Sequence, residues 1–172
     1  VRTVHAMNSE GIPYKGLLYT GLMIKGNTAK VVEFNCRFGD PETQPLMMLL
    51  KSDLLEVMDH IANGTLSEDH SGLEWHNGAA MGVVLASHGY PGSYAKGKLI
   101  EGLDQLPEDV VPFAAGVSDN TKGQLQTSGG RVLCITARGD SLQEARDKVY
   151  HSLPNVKFEG AFYRNDIGDK AL

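Results

Sequence analysis

The chain has 172 residues, of which 41% are hydrophobic and 22% charged, and its formal net charge is −5. This composition is typical of a globular protein and excludes a low-complexity chain. Acidic and basic residues are interspersed without a lysine- or arginine-rich run, so no nucleic-acid partner is expected.

The cysteines and the apolar runs indicate a cytoplasmic protein. Cys36 and Cys134 each lie in an apolar run and form no CxxC pair, so both are predicted to be buried thiols in a reducing compartment. No apolar stretch approaches the roughly 18 residues of a membrane span, and no signal peptide opens the chain, so no membrane partner is expected. The chain begins with Val1, and its first residues are typical of a helix tail closed by Gly11, which suggests a piece of a longer protein.

The first half of the chain is predicted to contain a hairpin followed by a helix. Residues 17–25 and 30–38 have the composition of strands, and "GNTA" between them supplies turn residues. "GDPETQ" is a polar loop whose Thr43 can cap the next helix, with Pro45 in the first turn. Apolar residues recur at three and four from Leu46 to Ile61, which predicts an amphipathic helix closed by Asn63 and Gly64.

The second half is predicted to be rich in β-structure. Residues 65–77 are polar and mixed, so we expect domains at 1–64 and 78–172 joined by a linker at 65–77. A capping-box pattern from Ser141 to Glu144 opens a helix that carries Leu142, Ala145, Val149 and Leu153 on one side. The predicted strands are "AAMGVVLAS", "KLIEG", "VVPFAAGV", "GQLQTS", "RVLCITA" and, last, "VKFEGAFYR".

The second predicted strand carries an unusual row of polar residues. Alternation places Val32, Phe34, Cys36 and Phe38 on one face, which is apolar and is expected to be packed. The other face carries Val31, Glu33, Asn35 and Arg37. Such a row is costly to bury unless ligands or partners satisfy its polar groups.

Two readings of the polar row remain open. Glu33 and Asn35 are hard oxygen ligands two residues apart, and they can share one Mg²⁺ whose other positions are filled by ATP phosphates and waters. Arg37 would then offer a planar fork of donors to the same phosphates. The alternative is an ordinary solvent-exposed face with salt bridges.

The residues that follow carry a specific resemblance. "EFNCRFGDPETQ", preceded by "GLLYTGLMI" and followed by "KSDLLE", resembles the phosphoribosylamine–glycine ligase family of ATP-grasp enzymes. "RFGDPE" is the signature that carries this resemblance. Three further segments resemble the family's C-terminal domain in the same order: "MGVVLASHGYPGSYAKG", "SGGRVLCITARG" and "FEGAFYRNDIG".

The resemblance implies a fold and an activity. The fold would be α+β, with the C-terminal portion of an ATP-grasp lobe at 1–64 and a small β-rich C-terminal domain at 78–172. The reaction would join glycine to 5-phosphoribosylamine in purine biosynthesis, with ATP as a substrate cleaved to ADP and phosphate through a glycyl phosphate. The missing N-terminal part of the same enzyme would supply the rest of the ATP site.

The resemblance also implies roles for particular residues. Glu33 and Asn35 would be the ligands of Mg²⁺ or Mn²⁺, and Arg37 would steady phosphoryl oxygens. Asp40 and Glu42 would bind the glycine ammonium or the ribosyl amine, or else hold the loop, since an acid near a helix start is stabilising in its own right. The preceding strand "GLLYTGLMI" carries no acidic residue, unlike that of many ATP-grasp proteins, which leaves open whether Glu33 serves one ion or bridges two.

The sequence also allows functions other than this ligation. Another ATP-grasp ligase, or a biotin-dependent or purine-pathway carboxylase of the same group, would keep the fold and change the chemistry, although the RFGDPE run argues against a carboxylase. A non-catalytic assembly module is the rival from another class. "SGGR" at 128–131 precedes a strand instead of opening a helix, which favours a tight turn over phosphate binding. Arg164 and Asp166 are predicted to form an exposed ion pair.

Overall fold

The computed structural model describes residues 2–66 and 73–172. These residues form an α+β fold, as predicted. The helices are α1 (Arg2–Ser9), α2 (Thr43–Leu49), α3 (Leu54–Asn63) and α4 (Leu142–Ser152). The strands are β1 (Tyr19–Lys25), β2 (Thr28–Asn35), β3 (Ala79–Ser87), β4 (Val110–Ala114), β5 (Val117–Asp119), β6 (Leu125–Thr127), β7 (Arg131–Gly139) and β8 (Ala161–Phe162).

The chain divides into two compact units. The first comprises Val1–Gly39 and Leu50–Trp75, and the second comprises Asp40–Leu49 and His76–Leu172. The predicted domain division at 65–77 stays a prediction, and residues 67–72 of that linker lie outside the described residues. No helix in the described part of the chain is long and apolar enough to cross a membrane.

The predicted hairpin is confirmed in the first unit. Strands β1 and β2 pair antiparallel from Tyr19 opposite Asn35 to Lys25 opposite Thr28. The turn between them begins at Gly26, whose φ of 56° lies in the left-handed region that glycine adopts without steric cost. The helix tail closed by Gly11 is confirmed as well, because α1 ends at Ser9 and Gly11 has a φ of 77°.

The prediction that one face of β2 is packed is wrong. Val32 is 66% exposed and Phe34 46% exposed. The sheet has two strands, and nothing among the described residues of the first unit buries this face. Cys36, which belongs to the same predicted face, is exposed and not buried. Cys134 is buried as predicted, and burial raises the pKa of its thiol.

The single helix predicted from Leu46 to Ile61 is also wrong, because the chain forms two helices there. Helix α2 ends at Leu49, and Leu50 forms an isolated β-bridge with Trp75. The next helix then needs its own N-cap, which Asp53 supplies by accepting a hydrogen bond from the Leu55 amide at 2.8 Å. The predicted end is correct: Gly64 closes α3 with a left-handed φ of 69°.

A four-stranded antiparallel sheet organises the second unit, in the order β4-β7-β3-β8. Helix α4 packs on one face, where a Cβ added at Gly139 would lie 2.7 Å from the Ala145 nitrogen. Helix α2 packs on the other face, where a Cβ at Gly82 would lie 3.3 Å from Pro45 Cγ. Because Gly82 has no side chain, Pro45 of α2 can pack directly on β3. This contact places the helix that follows the GDPE loop.

The core of this unit lies between the sheet and α4. Of the four residues predicted to share one side of the helix, Ala145, Val149 and Leu153 are fully buried, and Leu142 packs against the same cluster. The strands predicted as "AAMGVVLAS" and "RVLCITA" form β3 and β7. "KLIEG" forms only isolated bridges through Leu99 and Glu101, and the last predicted strand is reduced to the two residues of β8.

The capping box of α4 predicts a pH-dependent stability. Ser141 Oγ accepts from the Glu144 amide, and Glu144 accepts from the Asp140 amide at 2.8 Å and from Lys148 Nζ at 3.0 Å. The bonds from Lys148 and then Asp140 lower the pKa of Glu144 below its ordinary value of 4.5. Its stabilising contribution is therefore present above pH 4.5 and is lost as the pH falls through the lowered pKa.

We expect Glu144→Gln to lower the melting temperature at pH 7. The gap in melting temperature between variant and wild type should shrink on acidification below pH 4.5, where the wild-type carboxylate becomes protonated. Thermal unfolding followed by circular dichroism at several pH values measures this gap. A gap that stays constant from neutral to acid pH would show that the ionised Glu144 does not stabilise the fold.

Candidate functional site

Glu33 and Asn35 lie side by side at the end of β2. Asn35 Nδ2 donates a hydrogen bond to Glu33 Oε1 at 2.9 Å. Glu33 is exposed and Asn35 half-buried. The period of the strand brings the two together, because residues two apart point to the same face. The sequence-predicted pair is therefore assembled by local structure.

Arg37 does not share this strand face, contrary to the prediction. Strand β2 ends at Asn35, and Arg37 lies in the bend that follows, where its Nη1 donates to the Phe38 carbonyl at 2.7 Å. The alternation of side chains is also interrupted before Glu33, by a β-bulge. Glu33 pairs with Gly21 and Val31 with Leu22, so Val32 is an extra residue in β2. Unbroken alternation thus relates Glu33 only to Asn35 within the predicted row.

Gly21 on the neighbouring strand makes room for the Glu33 side chain. The two residues are cross-strand partners, and a Cβ built at Gly21 would lie 3.2 Å from Glu33 Cγ. A larger residue at this position would crowd the carboxylate. The glycine in "YTGLMI" thus serves the neighbouring strand, a relation that becomes visible only once the register is known.

Tyr14 flanks the end of β2 without adding charge. Its hydroxyl donates to the Leu17 carbonyl at 2.7 Å, and it lies beside Cys36. Desolvation and the neighbouring thiol raise the pKa of Tyr14 above 10.0, so the phenol is neutral at physiological pH.

The chemistry of the Glu33–Asn35 pair fits a hard divalent cation. The Asn35 amide that donates to Glu33 also carries an oxygen, so the two side chains offer carboxylate and carboxamide oxygens, which Mg²⁺ and Mn²⁺ prefer. No group of three His, Cys, Asp or Glu suited to a metal occurs within residues 2–66 and 73–172. Mg²⁺ commonly combines one or two protein ligands with substrate phosphates and water.

Asp40 is held firmly within the second unit. Its Oδ2 lies 3.0 Å from Arg131 Nη2, and its main-chain oxygen accepts from Arg131 Nη1 at 2.7 Å. Gln44 Nε2 donates to Asp40 Oδ1 at 3.3 Å. The peptide bond between Asp40 and Pro41 is cis. Both carboxylate oxygens thus have protein partners and keep further lone pairs for a donor.

Glu42 stands just before α2 with an exposed side chain. Its main-chain oxygen accepts from the Leu46 amide at 3.4 Å. This position is the one at which a carboxylate interacts favourably with a helix dipole. The structure therefore agrees with a helix-stabilising role, and a substrate-binding role for Glu42 stays a prediction.

Sequence reasoning missed Arg131 as a functional candidate. The SGGR segment forms a bend between β6 and β7, and its arginine reaches a residue 91 positions earlier in the chain. No local pattern signals a contact over this separation. The predicted exposed ion pair between Arg164 and Asp166 is confirmed, and the hydrogen bond from Arg164 lowers the pKa of Asp166.

Two family models match the chain. The model described as "Phosphoribosylglycinamide synthetase, C domain" matches residues 80–170. The model described as "Phosphoribosylglycinamide synthetase, ATP-grasp (A) domain" matches residues 1–43. The ATP-grasp match contains Glu33, Asn35 and all four residues of the GDPE loop, 39–42.

Full-length relatives agree with these matches. The chain is 48% identical to a phosphoribosylamine–glycine ligase of Vibrio vulnificus over 172 residues, covering 99% of this chain and 39% of the relative. It is 46% identical to the ligase of Halalkalibacterium halodurans, covering 100% of this chain and 39% of that protein. The chain thus spans about two fifths of the length of the curated relatives it matches.

Solved structures resemble the chain at two levels. A phosphoribosylamine–glycine ligase from Thermotoga maritima superposes with a TM-score of 0.81 at 38% identity, covering 96% of this chain and 40% of that one. Urea carboxylase from Kluyveromyces lactis superposes at 0.57 and 15% identity over 85% of this chain and 14% of that one, which shows a shared fold alone. Together with the sequence matches, these findings show that the chain belongs to the phosphoribosylglycinamide synthetase family, of which it carries a segment of the ATP-grasp domain and the C domain.

Proposed function

We propose that this chain is part of an ATP-dependent ligase that joins glycine to 5-phosphoribosylamine. The glycine carboxylate attacks the γ-phosphorus of ATP, which releases ADP and forms glycyl phosphate. The amine of phosphoribosylamine then attacks the acyl carbon, phosphate leaves, and the nitrogen gives up a proton to yield glycinamide ribonucleotide. The observation that carries the proposal is the Glu33–Asn35 pair inside the segment matched to the ATP-grasp domain.

Glu33 and Asn35 would hold the divalent metal. Their oxygens fit Mg²⁺, our first choice, and also Mn²⁺. When bound, such an ion supplies positive charge that stabilises the transferring phosphoryl group. Exposure of Glu33 supports this role, because an open carboxylate can be reached by a metal–nucleotide complex.

Arg37 is proposed to steady phosphoryl oxygens. It is exposed at the end of the strand that carries the metal ligands, and its guanidinium presents a rigid fork of donors. Asp40 and Glu42 are proposed to bind the amino groups of glycine or phosphoribosylamine. Asp40 is the better placed of the two for this role, because Arg131 and Gln44 fix the orientation of its carboxylate.

The remainder of the ligase is proposed to supply the adenine pocket and the lobe that covers the phosphates. In this proposal residues 1–64 belong to the ATP-grasp domain, 65–77 to a linker and 78–172 to the C domain. A cytoplasmic location is part of the same proposal, and the free thiols of Cys36 and Cys134 support it.

The test is substrate dependence of ADP release by the complete ligase that contains this chain. We expect release only when glycine and phosphoribosylamine are both present with ATP and Mg²⁺. A parallel reaction with bicarbonate and biotin examines the carboxylase alternative. ADP release with bicarbonate and none with glycine would overturn the proposal, and absence of release in every mixture would favour an assembly role.

Arg37→Lys in the complete ligase separates two roles of the arginine. Lysine keeps the charge and loses the bidentate fork, so we expect the maximal rate to fall by about 100-fold while the KM for ATP changes little. Steady-state kinetics at saturating glycine measure both quantities. A rise in the KM for ATP alone, at an unchanged maximal rate, would show that Arg37 contributes only uniform binding.

A further inference from the structure

The bidentate contact of Arg131 with Asp40 joins two segments far apart in sequence. One guanidinium nitrogen of Arg131 approaches the Asp40 carboxylate at 3.0 Å, and the other donates to the Asp40 main-chain oxygen at 2.7 Å. A planar fork that binds a side chain and the main chain of one residue restrains both. The restrained residue opens the GDPE loop directly before its cis-proline.

The base of Arg131 is itself fixed. The preceding Gly130 packs so tightly that a Cβ there would lie 2.3 Å from the Tyr90 ring. The buried Ser87 donates from its amide to the Gly130 carbonyl at 2.8 Å and from its hydroxyl to the Gly129 carbonyl at 3.0 Å. The arginine thus starts from a rigid bend at the head of β7.

The other end of the loop is fixed by α2. Gln44 in the first turn of α2 donates to the remaining Asp40 oxygen, and Pro45 packs over Gly82 of β3. Between Asp40 and this helix lie only Pro41 and Glu42. Both ends of the loop are therefore held, and the Arg131 fork joins Asp40 to the start of β7.

We propose that Arg131 is a positioning residue, which acts through Asp40 to hold the GDPE loop in the geometry that receives an amino substrate. This inference rests on the proposed ligase function. An ion pair with side chains 37% and 41% exposed contributes little to global stability. Loss of Arg131 should therefore increase the mobility of the loop and weaken substrate binding, and it should leave the melting temperature almost unchanged.

Hydrogen–deuterium exchange of the 172-residue chain tests the structural half. We expect the amides of residues 42–44 and 46 to exchange faster in Arg131→Gln than in wild type, with Arg131→Lys between them, because lysine can keep one of the two contacts. Arg164→Gln is the matched control, since it removes a second two-contact arginine–aspartate pair in the same unit. Unchanged exchange of this segment in Arg131→Gln would overturn the proposal.

Kinetics of the complete ligase test the functional half. We expect the KM for glycine or phosphoribosylamine to rise about 10-fold in Arg131→Gln, while the KM for ATP stays unchanged. Faster loop exchange with unchanged KM values would reduce Arg131 to a structural contact and overturn its role in the reaction. If wild-type ligase showed no dependence on glycine and phosphoribosylamine, the proposed function would fail, and the exchange experiment would still decide whether Arg131 holds the loop.

Discussion

Glu33→Gln and Asn35→Ala are each expected to lower the turnover of the complete ligase by about 100-fold at limiting Mg²⁺. The glutamine keeps the length of the side chain and removes the charge, and the alanine removes the carboxamide oxygen. Each change removes one of the two proposed oxygen ligands, which lie together at the end of β2 with Asn35 Nδ2 2.9 Å from Glu33 Oε1. The rate as a function of Mg²⁺ concentration should therefore shift to higher concentrations in both variants.

The same substitutions should leave the fold almost unchanged. Glu33 is exposed and Asn35 half-buried, and surface substitutions of this kind usually change the free energy of unfolding by no more than about 0.5 kcal/mol. Glu56→Gln, which neutralises an exposed carboxylate on α3, is the matched control and should retain wild-type kinetics. Wild-type rates at limiting Mg²⁺ in either site variant would remove Glu33 and Asn35 from the metal site.

The largest effect on stability is expected at Ile135, in the middle of β7. This residue is fully buried and pairs with Val83 of β3 and Pro112 of β4. Truncation to alanine leaves a cavity that the flanking strands cannot close, so the free energy of unfolding should fall by about 2–5 kcal/mol. Ile135→Val removes a single methylene and should cost only about 0.5–1.5 kcal/mol.

Urea unfolding of the chain measures both Ile135 variants, with the slope m as the check that the same surface is exposed. The alanine variant should lose stability without a change in m. Equal stabilities for the alanine and valine variants would mean that β7 does not lie in the core described here.

Local patterns predicted the elements that local physics determines. Alternating and continuous apolar runs located β3 and β7, and the capping box located the start of α4 at Ser141. The Glu33–Asn35 contact was predictable for the same reason, because it spans two residues of one strand. Resemblance to the family then supplied roles that spacing alone left open between a metal site and a solvent-exposed face.

Three features depended on information that the local pattern lacks. The apolar period ran through residues 50–53, although Asp53 caps a new helix there and the Leu50 backbone pairs with Trp75. The end of β2 at Asn35, which excludes Arg37 from the polar row, is set by where pairing with β1 stops. The contact of Arg131 with Asp40 spans 91 residues and follows from the packing of the whole second unit.

The most direct measurement is the formation of glycinamide ribonucleotide from isotope-labelled glycine, followed by mass spectrometry. This chain would replace the matching 39% of the Vibrio vulnificus ligase, and the graft would be assayed beside its Glu33→Gln variant and beside the isolated chain. We predict labelled product from the graft, about 100-fold slower formation by its Glu33→Gln variant at limiting Mg²⁺ and none from the isolated chain, because the reaction needs both the ATP site completed by the relative and the metal ligands of this chain. A folded graft without product, a Glu33→Gln graft as fast as the unchanged graft, or labelled product from the isolated chain would contradict the account.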